Sequence, residues 1–195
     1  MMRVGITGGI GSGKSLVCRA LQSFGVPVFY ADSEVKQMYD SDEEVRRLLV
    51  AAFGEEAYAG GKVNARRLAQ LAFADSGRLA ALNAIAHPAL ARRYAAWAER
   101  QEAAYTVIEA ALLFEADIQR LLDKVATVSA PEALRVARVA QRDGCPPSEA
   151  LRRMAHQLTD GQRSALADIT IVNDNATPLL PQILRLHEAL SAAAL

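Results

Sequence analysis

The chain has 195 residues, with 22 basic and 22 acidic side chains, 51% hydrophobic and 23% charged content. That length buries one good core with room for an inserted subdomain, and that composition excludes a disordered chain. A formal net charge of zero leaves no global field to recruit nucleic acid or an anionic membrane. Cys18 falls in a helical stretch and Cys145 beside Pro146 and Pro147, which suits free thiols in a reducing cytosol rather than a disulfide scaffold. No signal peptide precedes the first strand and no apolar run approaches membrane-spanning length. The expectation is a soluble, cytoplasmic protein.

Val4-Gly5-Ile6-Thr7 reads as a buried strand, a glycine-rich loop follows, and helical spacing runs from Leu16 to Phe24. Gly8, Gly13, Lys14 and Ser15 satisfy G-x-x-x-x-G-K-[ST] in the strand–loop–helix context that gives the motif its meaning. Backbone N–H groups must converge on phosphate oxygens there, and glycine permits both the angles and the close approach. The helix N-terminus adds its positive dipole end. Lys14 supplies charge for the β- and γ-phosphates, and Ser15 a hydroxyl for Mg²⁺. Gly9, Gly11, Ser12, Gly13, Lys14, Ser15 and Leu16 are therefore the expected nucleotide contacts. The chain binds a nucleoside triphosphate.

Gly25 and Pro27 separate the first helix from a second strand, Val28-Phe29-Tyr30, with Ala31-Asp32 at its end. Ligand groups collect at the carboxyl ends of strands in open α/β sheets, so Asp32 is expected to face the phosphate loop. Its carboxylate suits orienting and deprotonating a substrate hydroxyl or contacting the metal shell, and equally suits capping the helix that opens at Ser33. From Ser41 to Gln101 helical patterns dominate: 43–53, 65–74, 77–86 and 88–102, with Gly54 to Asn64 as a loop. This predicts a helical insert of about 41–103 that builds the acceptor's pocket. Its sharpest features are Arg66 and Arg67 at a helix start and His87-Pro88 at a helix boundary, where a lone histidine is more often a cap or packing residue than a functional one.

Tyr105 to Ile108 is the third strand, ending at Glu109, where a Walker-B-type carboxylate would approach Mg²⁺. Lys124 to Ser129 is the fourth. On the helix after Pro131, Arg135, Arg138 and Arg142 recur at i, i+3 and i+7 and share a face. A second helix, Ser148 to His156, carries Arg152 and Arg153. Such a hairpin suits a lid of about 131–165 closing over a phosphoryl group; a solvated helix face has the same pattern. Asp168 to Asn173 is the fifth strand, and an amphipathic helix from Leu179 to Ala192 completes the core of about 1–40, 104–130 and 166–195.

Several further stretches, in order, share one resemblance. Gly5 to Ser15, Tyr30-Ala31-Asp32, Ile85-Ala86-His87-Pro88, Leu112-Leu113-Phe114-Glu115, Arg138 to Gly144, Gln157, Ala167-Asp168 and Asn173 together resemble the dephospho-coenzyme A kinase family over nearly the whole length. The resemblance implies an α/β P-loop fold with a five-stranded parallel sheet, helical acceptor subdomain and lid. It implies ATP, Mg²⁺ and dephospho-CoA as ligands, with phosphate transferred to the ribose 3′-hydroxyl in the last step of coenzyme A synthesis. Taken with the residue readings above, catalysis is expected at Asp32, Lys14, Arg138 and Arg142, the acceptor at Asp32, Arg66, His87 and Glu115, the metal at Ser15 and Glu109, and a nucleotide contact at Asn173. A monomer or weak homo-oligomer, without nucleic acid or membrane, fits this reading. Where the family often has Asp-x-Pro before Leu-Leu-Phe-Glu, this chain has Glu109 and Ala111, which keeps the charge on a longer arm. A GTPase needs a guanine reader of the Asn-Lys-x-Asp type, and Asn173-Asp174-Asn175 lacks the lysine. A non-catalytic nucleotide-binding module predicts binding without turnover.

Overall fold

The computed structural model describes residues 1–194. In chain order the elements are β1 (Met2–Thr7), α1 (Lys14–Ser23), β2 (Val28–Tyr30), α2 (Ala31–Ser41), α3 (Glu43–Phe53), β3 (Tyr58–Ala59) and β4 (Lys62–Val63). There follow α4 (Ala65–Ala72), α5 (Ser76–Ala98), β5 (Tyr105–Glu109), β6 (Lys124–Ser129), α6 (Glu132–Asp143), α7 (Pro147–Met154), α8 (Asp160–Leu166), β7 (Ile169–Val172) and α9 (Leu179–Ala193). They form two compact units, one of Met1–Tyr30 with the chain from Arg100 on, the other of Ala31–Glu99.

The first unit holds a five-stranded sheet in the order β2-β5-β1-β6-β7, with every pairing parallel. β1 lies at its centre because Val4, Gly5, Ile6 and Thr7 expose almost nothing on either face, the continuous burial that parallel sheets require. Val17, Cys18 and Leu21 of α1 and Ile183, Leu186 and Leu190 of α9 join Val4, Ile6, Val107 and Val128 in one core. Asp168, expected at the start of the fifth strand, instead ties β7 to β6: its carboxylate accepts from Lys124 Nζ at 2.9 Å and Val125 N at 2.8 Å. These two bonds hold its carboxyl below the usual carboxylate range and set the register of the edge strand.

The second unit is helical, as the sequence predicts, and α3, α4 and α5 each start where a side chain satisfies a free N–H group. Asp42 caps α3 through Val45 N, Asn64 caps α4 through Arg67 N, and Asp75 caps α5 through Arg78 N. The unit begins at Ala31 rather than Ser41 because α2 sends Met38 into the cluster of Val45, Leu49, Phe53, Leu68 and Ala86. The expected glycine loop contains a short antiparallel ladder, Tyr58↔Val63 and Ala59↔Lys62. The expected break at His87-Pro88 does not occur; α5 runs through Pro88. An internal proline costs about 3 kcal/mol, and burial of Ala86, Ala89, Leu90, Tyr94 and Ala98 along one face outweighs it.

Candidate active site

The phosphate loop, residues 8–13 between β1 and α1, is held from several directions within the first unit. Lys14 Nζ donates to Gly8 O at 2.9 Å, and Gln157 Oε1 accepts from Ile10 N at 2.9 Å. Arg138 donates through Nη1 to Gly11 O at 3.3 Å and through Nη2 to Asn175 Oδ1 at 2.7 Å and Asn173 O at 3.2 Å. Asn173 Nδ2 donates to Ser12 O at 2.7 Å. Gly13 has φ +99° and faces that amide so closely that a Cβ would strike it, so glycine is required for both angle and approach. Ile10 also packs with Val136, Val139, Ala150 and Met154 of α6 and α7, so the hairpin grips the loop by apolar as well as polar contacts. The amides of Gly11 and Gly13 donate to no group among the described residues, and the first N–H groups of α1 have no partner within the helix. Phosphate oxygens are suited to both.

Lys14 is 8% exposed and its ammonium lies 4.0 Å from the Glu109 carboxylate at the end of β5. Two charges out of water are tolerable because each compensates the other. Burial first, then the Glu109 carboxylate, push the neighbouring Cys18 thiol well above its ordinary value, so it stays protonated and inert. The hydroxyls of Thr7 and Ser12 are buried without a hydrogen-bond partner, polar atoms that a bound anion or its water would satisfy. Ser15 and Leu16 open α1 and are exposed.

The arginine stripe of α6 divides by depth. Arg135 is buried, Arg138 half-buried and Arg142 exposed. Arg142 donates bidentately to Asp143, through Nε at 2.6 Å and Nη2 at 2.9 Å, and Arg153 joins the same carboxylate at 2.6 Å. These contacts raise the Arg142 guanidinium and lower the Asp143 carboxyl from their ordinary values. Seven residues of helix separate Arg135 from Arg142 by about 10 Å, so one loop does not meet both ends of the stripe. Arg138 meets the phosphate loop; Arg142 meets Asp143.

Of the remaining expected contacts, Glu115 belongs to the first unit and accepts from Leu158 N at 3.0 Å, anchoring the segment between α7 and α8. In the second unit Asp32 lies within the first turn of α2 rather than at a cap position, and its carboxylate is exposed. Arg66 is exposed in the first turn of α4, and His87 is half-buried inside α5. Two features of the first unit escape sequence reasoning. One is α8, whose capping box joins Thr159 and Gln162; that T-x-x-Q spacing is the signal that could find it. The other is its Arg163, fully buried and paired with Asp160 at 2.7 Å. Beside Arg135 and Asp160 lies a cavity of about 770 Å³, lined also by Ala130, Pro131, Met154 and Gln157.

The family model described as dephospho-CoA kinase matches residues 2–178. The dephospho-CoA kinase of Salinibacter ruber is 41% identical over 178 residues, covering 89% of this chain and 89% of that protein. That of Bacteroides fragilis is 37% identical over 186 residues, covering 95% and 91%. A crystal structure from Thermus thermophilus superposes with a TM-score of 0.84 at 35% identity, covering 98% of this chain and 97% of that one.

Proposed function

The chain belongs to the dephospho-CoA kinase family, and we infer that it is an ATP-dependent kinase phosphorylating the ribose 3′-hydroxyl of dephospho-CoA, the last step of coenzyme A synthesis. The observation that carries this is the phosphate loop, with the Lys14 ammonium buried against Glu109 at its base. In the reaction the acceptor's 3′-oxygen bonds to the γ-phosphorus, the bond from that phosphorus to the bridging oxygen breaks, and ADP leaves. The acceptor proton passes to Asp32. Lys14 exchanges Gly8 O for phosphate oxygens and stabilises the charge spread over the transferring group. Arg138, already on the loop, adds a planar cation, and Asn173 keeps the loop in shape. Arg142 joins by leaving Asp143. Arg66, His87 and Glu115 complete the acceptor's contacts.

Mg²⁺ is part of this reading. The Ser15 hydroxyl and the Glu109 carboxylate are hard oxygen donors of the kind it prefers, and Ser15 is exposed at the helix end where phosphates gather. Among the described residues no group of three or more His, Cys, Asp or Glu could hold a metal ion, so nucleotide oxygens and water would fill most of its shell. When bound it supplies charge neutralisation across the β- and γ-oxygens. Cytoplasmic residence, as a monomer or weak homo-oligomer, fits the two free thiols, and no helix among the described residues is long and apolar enough to cross a membrane.

The test is turnover with ATP and, in separate reactions, dephospho-CoA, adenosine or uridine. Dephospho-CoA alone is expected to be phosphorylated; turnover of a nucleoside with none on dephospho-CoA contradicts the assignment. The hairpin of α6 and α7 is also expected to close further on the nucleotide. Hydrogen exchange across 131–157 is predicted to slow when a non-hydrolysable ATP analogue saturates the protein. Unchanged exchange at saturation removes the lid.

A further inference from the structure

Three charged groups behind the phosphate loop take no part in the reaction as proposed. Arg163 is 1% exposed and Arg135 6%. Asp160 lies between them, with Oδ1 accepting from Arg163 Nη2 at 2.7 Å and standing 3.7 Å from Arg135 Nη2. Its Oδ2 accepts from Ser129 Oγ and Ala130 N, both at 3.2 Å. Arg135 also donates through Nε to Ala130 O at 3.1 Å. The carboxylate is thus fully used, while Nε and Nη1 of Arg163 are buried with no hydrogen-bond partner among the described residues.

A buried guanidinium with unmet donors destabilises a protein unless something else repays it. Both guanidiniums press on Gly9, where a Cβ would collide with each of them. The guanidiniums of Arg135 and Arg163 share the single carboxylate of Asp160 as their ion-pair partner, which leaves that trio with one positive charge in excess. In a site shielded from water such an excess acts over several ångströms. We propose that Arg163 is a positioning residue for the nucleotide: with Arg135 it holds against Gly9 an uncompensated positive charge that bound phosphates neutralise, favouring triphosphate over diphosphate. This inference rests on the ATP-dependent reading above and deepens it, since it says what selects the triphosphate.

The experiment compares wild type, Arg163→Gln and Arg163→Lys as full chains. It reads the dissociation constants of ATP and ADP without acceptor, the melting temperature without nucleotide, and KM and kcat for ATP. Loss of one charge-assisted interaction corresponds to about tenfold to a hundredfold in affinity. Arg163→Gln is expected to weaken ATP by that order and ADP by less, raising KM for ATP more than it lowers kcat. Its nucleotide-free melting temperature should fall by no more than a few degrees, because Asp160 keeps Arg135, Ser129 and Ala130 while unmet donors are removed. Arg163→Lys should keep the preference for ATP, since it keeps the charge. A lower melting temperature with an unchanged ATP-to-ADP ratio makes Arg163 a structural brace and overturns the inference, as does a lysine variant that loses the preference as fully as glutamine. If Arg163→Gln does not fold, Arg135→Gln carries the same comparison. Wild type that binds ATP over ADP but leaves dephospho-CoA untouched defeats the functional reading alone; wild type with equal affinities defeats this inference alone.

Discussion

Asp32→Asn is expected to lower kcat by about 10²–10⁴-fold, the worth of general-base assistance, while the ATP dissociation constant stays near wild type. The structure sharpens this expectation. Asp32 lies inside the first turn of α2, not at its cap, and its carboxylate is exposed. Asparagine keeps the shape of the side chain and loses only the charge at a helix N-terminus, worth about 0.3–1 kcal/mol. In a domain of this size that corresponds to a melting temperature lower by about 1–4 °C. Melting, nucleotide binding and turnover measured on one preparation separate the two roles. A kcat equal to wild type with a small melting shift makes Asp32 a helix-terminus residue and nothing more.

Lys14→Ala is expected to reduce turnover by about 10²–10³-fold, the loss of one preorganised charge on the transferring group. A second effect follows from its burial. Lys14 lies 4.0 Å from Glu109, and both are under a tenth exposed. Removing one member of a buried pair costs up to about 3–5 kcal/mol, so the single variant is expected to melt earlier than wild type. Lys14→Ala combined with Glu109→Gln removes both charges and should recover most of the melting temperature without recovering turnover. Turnover near wild type in either folded variant contradicts the role given to Lys14. Recovery of turnover in the double variant would mean that stability, not phosphate chemistry, was lost.

The parts of the fold legible in the sequence are those where local pattern and tertiary burial demand the same thing. Val28–Tyr30 and Lys124–Ser129 are strands over the residues expected: the apolar, β-branched run 125–128 is buried on both faces of the parallel sheet, and in the edge strand Phe29 is buried. The phosphate loop was legible because its glycines answer to backbone angles and close approach, which leave a fixed spacing in the chain. Pro88 was misleading: its local preference for a helix boundary gives way to the buried face of α5. The α8 helix was missed because its seven residues are too short to show periodicity, although its capping box is present. Arg163 could not be read at all, since an arginine in a short polar stretch is ordinarily solvated, and only the tertiary structure places it beneath Gly9. Arg135, Arg138 and Arg142 do form one stripe, but which of them meets the loop depends on where the helix axis carries them.

The most direct test of the account follows the phosphate itself. Purified chain would receive ATP labelled in the γ-phosphoryl group together with dephospho-CoA, and the label would be located by mass spectrometry and ³¹P NMR. The account predicts one labelled phosphoryl group on the ribose 3′-oxygen for each ADP formed, giving coenzyme A. Label released as inorganic phosphate with the acceptor intact, or attached to any other hydroxyl, would contradict it.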